Sequence, residues 1–289
     1  ATMAVAFVRS AADERGIPVG SPQFFIRDRS FDQLMWASAR LYRRHWRAFL
    51  TVSAVFVPLG LFLSEAQQLI FSIPVVSTLV GVADSRGISG FVALLYGTGA
   101  TLPVTLIVTA GVVAVVAQSE RGGTVSGRDA YRRMAHDARP LIYARLKAIL
   151  ITATLAATVI GLPWAINRLV RWFFSEQAIL LDGATEDFAL QRSSESVDGR
   201  WWKTFFVVAI LAELGGLVGP LLASIAFLLT SLPLGLINLF SSIVYAALMP
   251  LVGIGLALYY RQPRTVKSPS ARSEHGEPTV PSSEARAVS

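Results

Sequence analysis

The chain has 289 residues, of which 53% are hydrophobic and only 16% charged, and its formal net charge is +7. An average soluble domain carries about 25% charged residues, and one aqueous core in a chain of this size does not hide so much apolar surface, so lipid is expected to solvate part of it. The absence of cysteine, together with only three histidines (His45, His136 and His275), excludes a disulfide scaffold, a thiolate metal site, a cysteine nucleophile and a His-rich metal centre.

Residues 1–29 read as a polar N-terminal segment broken by Gly16-Ile17-Pro18 and Gly20-Ser21-Pro22, and the apolar run Ala4–Val8 is too short for a signal-peptide core. The amphipathic stretch Phe31–Arg47 follows. It sets Phe31, Leu34, Met35, Leu41 and Tyr42 against a basic edge of Arg40, Arg43, Arg44 and Arg47, suited to anionic lipid headgroups. Long apolar runs come next: Phe49–Leu63 extending toward Ile70, Phe91–Ala117, Ala148–Pro163, Trp164–Leu181, Thr204–Leu229 and Pro233–Tyr260. At a rise of ~1.5 Å per residue the second spans ~40 Å, enough to cross a bilayer with tilt. After Arg261 the chain turns to Pro, Ser, Glu and Arg without periodicity, so 262–289 is expected to be a disordered cytoplasmic tail.

Charge parity sets the expected threading. Segment 1–50 carries eight Arg and no Lys, the 65–90 connection only Arg86, and the 118–147 connection six Arg, among them Arg132 and Arg133, with Lys147. If Trp164–Leu181 crosses, the 182–203 connection and the tail share the side of the first segment, in keeping with the positive-inside tendency. The expectation is therefore an all-α integral membrane protein of the bacterial cytoplasmic membrane, multi-pass with both termini cytoplasmic. Its domain, residues 30–261, has six transmembrane helices as three hairpins, each preceded by a cytoplasmic amphipathic helix. A repeat points to the same count: Trp46-Arg47-Ala48-Phe49-Leu50 aligns with Trp202-Lys203-Thr204-Phe205-Phe206, and a looser copy runs from Asp129-Ala130-Tyr131-Arg132-Arg133 to Leu146-Lys147.

The stretch Leu180-Leu181-Asp182-Gly183-Ala184, then Ala189-Leu190-Gln191-Arg192-Ser193, then Gly199-Arg200-Trp201-Trp202 resembles the membrane-domain family named after bacterial glycerophosphoryl diester phosphodiesterases. That family's pattern has an acidic-Gly turn, an Ala-Leu-x-Arg-Ser helix and a Gly-x-Trp-Trp entry to the next span. The resemblance covers about residues 30–260, and Asp182 stands where glutamate is expected. It implies a membrane region without hydrolase activity.

No His-Glu-x-x-His, phosphate loop or Gly-x-Ser-x-Gly elbow is present, and Gly97-Thr98-Gly99 lies within an apolar run, so an enzyme is not expected. No cofactor, metal or nucleic-acid partner is expected either, because the basic residues lie beside apolar runs. Arg171 and Glu213 fall near the expected midplane, where a lone charge costs roughly 2.5–3.5 kcal/mol, so they are expected to pair. Asn167, Arg171 and Ser175 share a helical face with Arg168 adjoining. The feature reads as a structural ion pair or as a polar path. Ala153, Ala157 and Gly161, like Gly215, Gly219 and Ala223, recur every fourth residue and suit close helix packing, within the chain first and between chains second. Together these features predict a non-enzymatic module organising anionic lipid or a membrane-protein partner at the inner face. The alternative is a small transporter or channel using Arg168, Arg171 and Glu213.

Overall fold

A computed structural model describes residues 17–19, 21–59, 61–62, 69, 73–74, 78, 89–158, 160–229 and 234–263. Every regular element among them is helical: α1 (Pro22–Phe25), α2 (Phe31–Arg44), α3 (Trp46–Ser53), α4 (Ser89–Glu120), α5 (Gly127–His136), α6 (Ala138–Ala156), α7 (Leu162–Trp172), α8 (Ser175–Asp182), α9 (Ala189–Val197), α10 (Trp201–Leu229) and α11 (Leu234–Tyr260). Most of segment 1–29 and the tail beyond 263 lie outside the described residues, as do most of the 65–90 connection, Arg86 included, and the turn at 230–233.

Among the described residues the six expected membrane-crossing helices are not found. Among the described residues one helical segment, Leu239–Tyr260, is long and apolar enough to cross a bilayer, and 44% of its most apolar stretch is buried inside the protein. The multi-pass inner-membrane placement with both termini cytoplasmic falls with the count. So do the polytopic scaffold and the transporter that rested on it. Apolarity in the sequence does not register helix breaks, and the breaks are local. α3 ends at Ser53 within the first run, and α6 ends at Ala156 within the third. Trp164–Leu181 is two helices, not one.

That last break has a clear cause. The Phe173 amide reaches only the Val170 carbonyl, at 3.4 Å, and Phe174 leaves helical geometry at φ −91°, ψ 19°. Ser193 of α9 then fills the gap: its hydroxyl donates to the Arg171 carbonyl at 2.7 Å and accepts from the Phe174 amide at 3.0 Å. A residue about twenty positions downstream thus satisfies backbone groups that a continuous helix would have paired internally.

α4 is the central element. Val112, Val113, Ala114, Val115, Val116 and Ala117 are each at most 2% exposed, so this stretch is enclosed on every face. Close approach is made possible by Gly111, where a Cβ would run into the Val52 side chain of α3. α2 begins at Ser30, whose amide donates to Gln33 Oε1 at 3.2 Å, and buries Leu34, Ala37, Ser38 and Leu41 at helical spacing against α11. α10 and α11 pair antiparallel, with Thr204 and Tyr259 hydroxyls 3.0 Å apart. Each of α2, α5 and α9 is short and precedes the next helix after a break of one to three residues.

Candidate functional site

The C-terminal ends of α4, α8 and α11 converge on one guanidinium. Arg261 donates from Nη2 to Glu120 Oε2 at 2.9 Å and from Nη1 to Asp182 Oδ1 at 2.6 Å, and Nη2 also lies 3.2 Å from the Leu181 carbonyl. The Tyr260 hydroxyl adds 2.5 Å to Asp182 Oδ2, and Arg192 of α9 stands 3.5 Å from the same oxygen. Three helix C-termini carry partial negative charge, and a cation at their junction offsets it. Asp182 in turn holds the Arg192 guanidinium above its ordinary pKa. α8 closes through Gly183, whose φ of +70° suits a residue without a side chain, and the Ala184 amide returns to the Ala178 carbonyl at 3.0 Å. This end of the bundle is the charged hub.

Deeper in the bundle lies one buried acid. Glu176 of α8 accepts from Thr109 Oγ1 of α4 at 2.8 Å, and its other oxygen is 3.9 Å from Arg145 Nη1 of α6. Burial raises the Glu176 pKa, while Arg145 and Thr109 lower it in part.

Away from the hub, long stretches of three helices carry no charge. α4 carries no charged residue before Glu120, α11 carries none, and α6 and the turn after it carry none between Lys147 and Arg168. There, beside exposed small residues such as Ala153, Thr154 and Ala157, stand large apolar ones. On α6 they are Ile149, Leu150 (67% exposed) and Ile151; around α7 they are Ile160 (81%), Leu162, Trp164, Ile166 and Leu169. α10 presents Trp202 (67%) at the hub end, followed by Phe206, Ile210 and Leu214 at four-residue spacing, and α11 presents Leu236, Phe240 and Ile243. The α6 and α10 faces meet through α7, which packs on both helices. Cations ride on aromatics on α6 and α7, where Lys147 is 5.6 Å from the Tyr143 ring and Arg168 5.2 Å from Trp172, and on α3, where Arg47 is 5.4 Å from the Trp46 ring.

The residues singled out from sequence are dispersed. Arg171 donates to Asn167 Oδ1 at 3.3 Å and pairs with Asp198 at 2.8 Å. Glu213 is exposed on α10, so the expected Arg171–Glu213 pair is replaced by Arg171–Asp198. Ser175 is buried, but beyond the helix break rather than on the Asn167–Arg171 face. Arg43 and Arg47 are exposed, as a headgroup role requires; Arg40 turns instead to the Ile17 carbonyl at 2.5 Å, and Arg44 to the Val19 carbonyl. Arg132 is exposed beside Asp129 at 3.9 Å, and Arg133 donates to the Leu180 carbonyl at 3.1 Å. Ala153 and Ala157 are exposed and Gly161 lies in the turn after α6, its amide 3.1 Å from the Thr158 carbonyl, so the three do not form one packing face. Gly215 and Gly219 lie in α10, with surroundings outside the described residues.

Glu176, Asp182, Glu120, Arg145, Arg261 and Ser193 were not singled out as site residues. One signal was available: Glu176 is the single acid between Asp137 and Asp182, set within an apolar run. Among the described residues no group of three His, Asp or Glu side chains gathers as a metal site. Compared with family models, with curated proteins and with solved structures, the chain matches none.

Proposed function

We propose that the protein is a lipid-binding helical module that seats the apolar face of α6, α7 and α10 against acyl chains and keeps its charged hub in water. The observation that carries this reading is the segregation just described: large apolar side chains at high exposure on adjoining helices, bordered by cation–aromatic pairs. Isolated exposed apolar residues are ordinary on any surface, but a contiguous face of this kind marks a membrane or protein contact. The border selects lipid. Lys147 and Arg168 extend from aromatic rings, the arrangement in which amphipathic side chains span the step from acyl chain to headgroup. Exposed Arg43 adds a further cation, contributing on the order of 1 kcal/mol at an anionic surface. In this reading the chain binds rather than catalyses.

Flotation of the full chain with vesicles tests it, comparing phosphatidylcholine alone with phosphatidylcholine containing phosphatidylglycerol. The expected result is flotation with both, stronger on the anionic vesicles at low salt and retained in part at high salt. A chain that stays dispersed at the bottom of the gradient without detergent contradicts the proposal.

A further inference from the structure

The second half of α6 stands clear of the core. The helix buries Leu141, Ala144 and Ala148, and none of its residues beyond Ala148 is buried. It packs chiefly on α7, to which the turn at 157–161 joins it, and residues 148–167 of this hairpin contain no charge.

The turn is built for a phase without water, where an open backbone donor is costly. The Ala157 amide donates to the Ala153 carbonyl at 2.9 Å and the Thr158 amide to the Leu155 carbonyl at 3.3 Å. The Gly161 amide donates to the Thr158 carbonyl at 3.1 Å and to the Thr158 hydroxyl at 3.0 Å. Hydroxyls are satisfied too, since Thr158 Oγ1 donates to the Leu155 carbonyl at 3.2 Å and Thr154 Oγ1 to the Leu150 carbonyl at 2.8 Å. Closure requires glycine at 161, where a Cβ would run into the Leu155 carbonyl. Pro163, at the start of α7, has no N–H to leave open.

Charge returns on both helices with the same construction. Lys147 sits on the Tyr143 ring and Arg168 on the Trp172 ring, each ring one helical turn further from the 157–161 turn than its cation. From Lys147 to Ala157 the chain rises ~15 Å at ~1.5 Å per residue, half the thickness of a ~30 Å hydrocarbon core. We propose that the α6–α7 hairpin is a wedge that enters one leaflet of a phospholipid membrane without crossing it. Its turn reaches the acyl-chain ends, and Lys147 and Arg168 meet the headgroup phosphates of that same leaflet. The inference rests on the lipid-binding reading and adds the partner's form, a single phospholipid monolayer. Charge complementarity selects that partner: two cations at the base face phosphates, and the charge-free remainder faces acyl chains.

The chain has no cysteine, so a single introduced thiol carries a label without background. Full-length Ala157→Cys and Ile142→Cys chains, labelled with bimane, are bound to phosphatidylcholine–phosphatidylglycerol vesicles. Lipids bearing a nitroxide near the acyl terminus should quench the label at 157 more than lipids bearing it near the headgroup, with the reverse order at 142. Shallow quenching at both positions in chains that still float overturns the wedge and leaves lipid binding standing; chains that do not float remove both. Triolein droplets coated with the same phospholipids should hold the chain as well as vesicles do, and binding confined to bilayers overturns the proposal. Ile160→Asp should lower partitioning into vesicles on the order of a hundredfold, with the circular dichroism of the unbound chain unchanged because Ile160 is exposed. Undiminished partitioning of that variant also overturns the wedge.

Discussion

At the scale of single residues, Ser193 and Glu176 hold the most informative positions. The Ser193 hydroxyl makes two hydrogen bonds across the break between α7 and α8. Ser193→Ala leaves the Phe174 amide and the Arg171 carbonyl unpaired in a buried place, so a loss of about 2 kcal/mol in denaturant unfolding is expected. Glu176 works in the opposite sense. Its pKa is raised by burial, so the folded state holds the proton more tightly than the unfolded chain does. The linkage sign follows: stability is greatest below the ordinary carboxyl range and falls as pH rises from there through the folded pKa, where ionisation in the bundle becomes complete. Glu176→Gln mimics the neutral acid. It should flatten that part of the melting temperature against pH profile without large loss at low pH. Arg145→Ala should extend the falling limb to higher pH, because the cation that favours the ionised form in the folded state is gone.

At the scale of elements, Arg261 ties α4, α8 and α11 together by their C-terminal ends. Two carboxylates with side chains about one-fifth exposed, Glu120 and Asp182, share this one guanidinium. Arg261→Ala is expected to cost about 2 kcal/mol, less than a fully buried pair would, since solvent screens part of the interaction. Arg261→Lys should recover only part of that loss, because a lysine does not present a planar fork to two acids at once. Chemical denaturation of the three chains checks both statements. The same elements show what was legible in the sequence. The runs that became α4, α10 and α11 were readable as long helices because no breaker with a downstream partner interrupts them. Trp164–Leu181 was not, because its break is satisfied by Ser193, and a local apolarity pattern carries no trace of that contact. Assuming one straight helix there also put Arg171 and Glu213 at a common depth and produced a pair that does not form. Glu176, which opens α8 after the break, is the acid the fold buries.

At the scale of the whole molecule, composition pointed to more apolar surface than one aqueous core hides, and reading that surplus as membrane crossings did not hold. Counting apolar runs as crossings gave six, whereas the described helices offer one segment with the length and apolarity to cross. Part of the surplus goes into an enclosed core around Val112–Ala117, and part is left outward on α6, α7 and α10. The cationic residues named from sequence were legible as a set, but their individual fates were not. Arg43 and Arg47 stay exposed, whereas Arg40, Arg44 and Arg133 turn to carbonyls of segments far away in the chain.

The central claim, that the outward apolar face meets lipid while the hub meets water, is tested most directly by nitroxide labels on single cysteines in vesicle-bound chain. Labels at Leu150, Phe206 and Ile243 should collide readily with oxygen and poorly with a water-soluble nickel chelate, and labels at Arg43, Arg128 and Asp187 should show the reverse. Equal access of the chelate to both sets would contradict it.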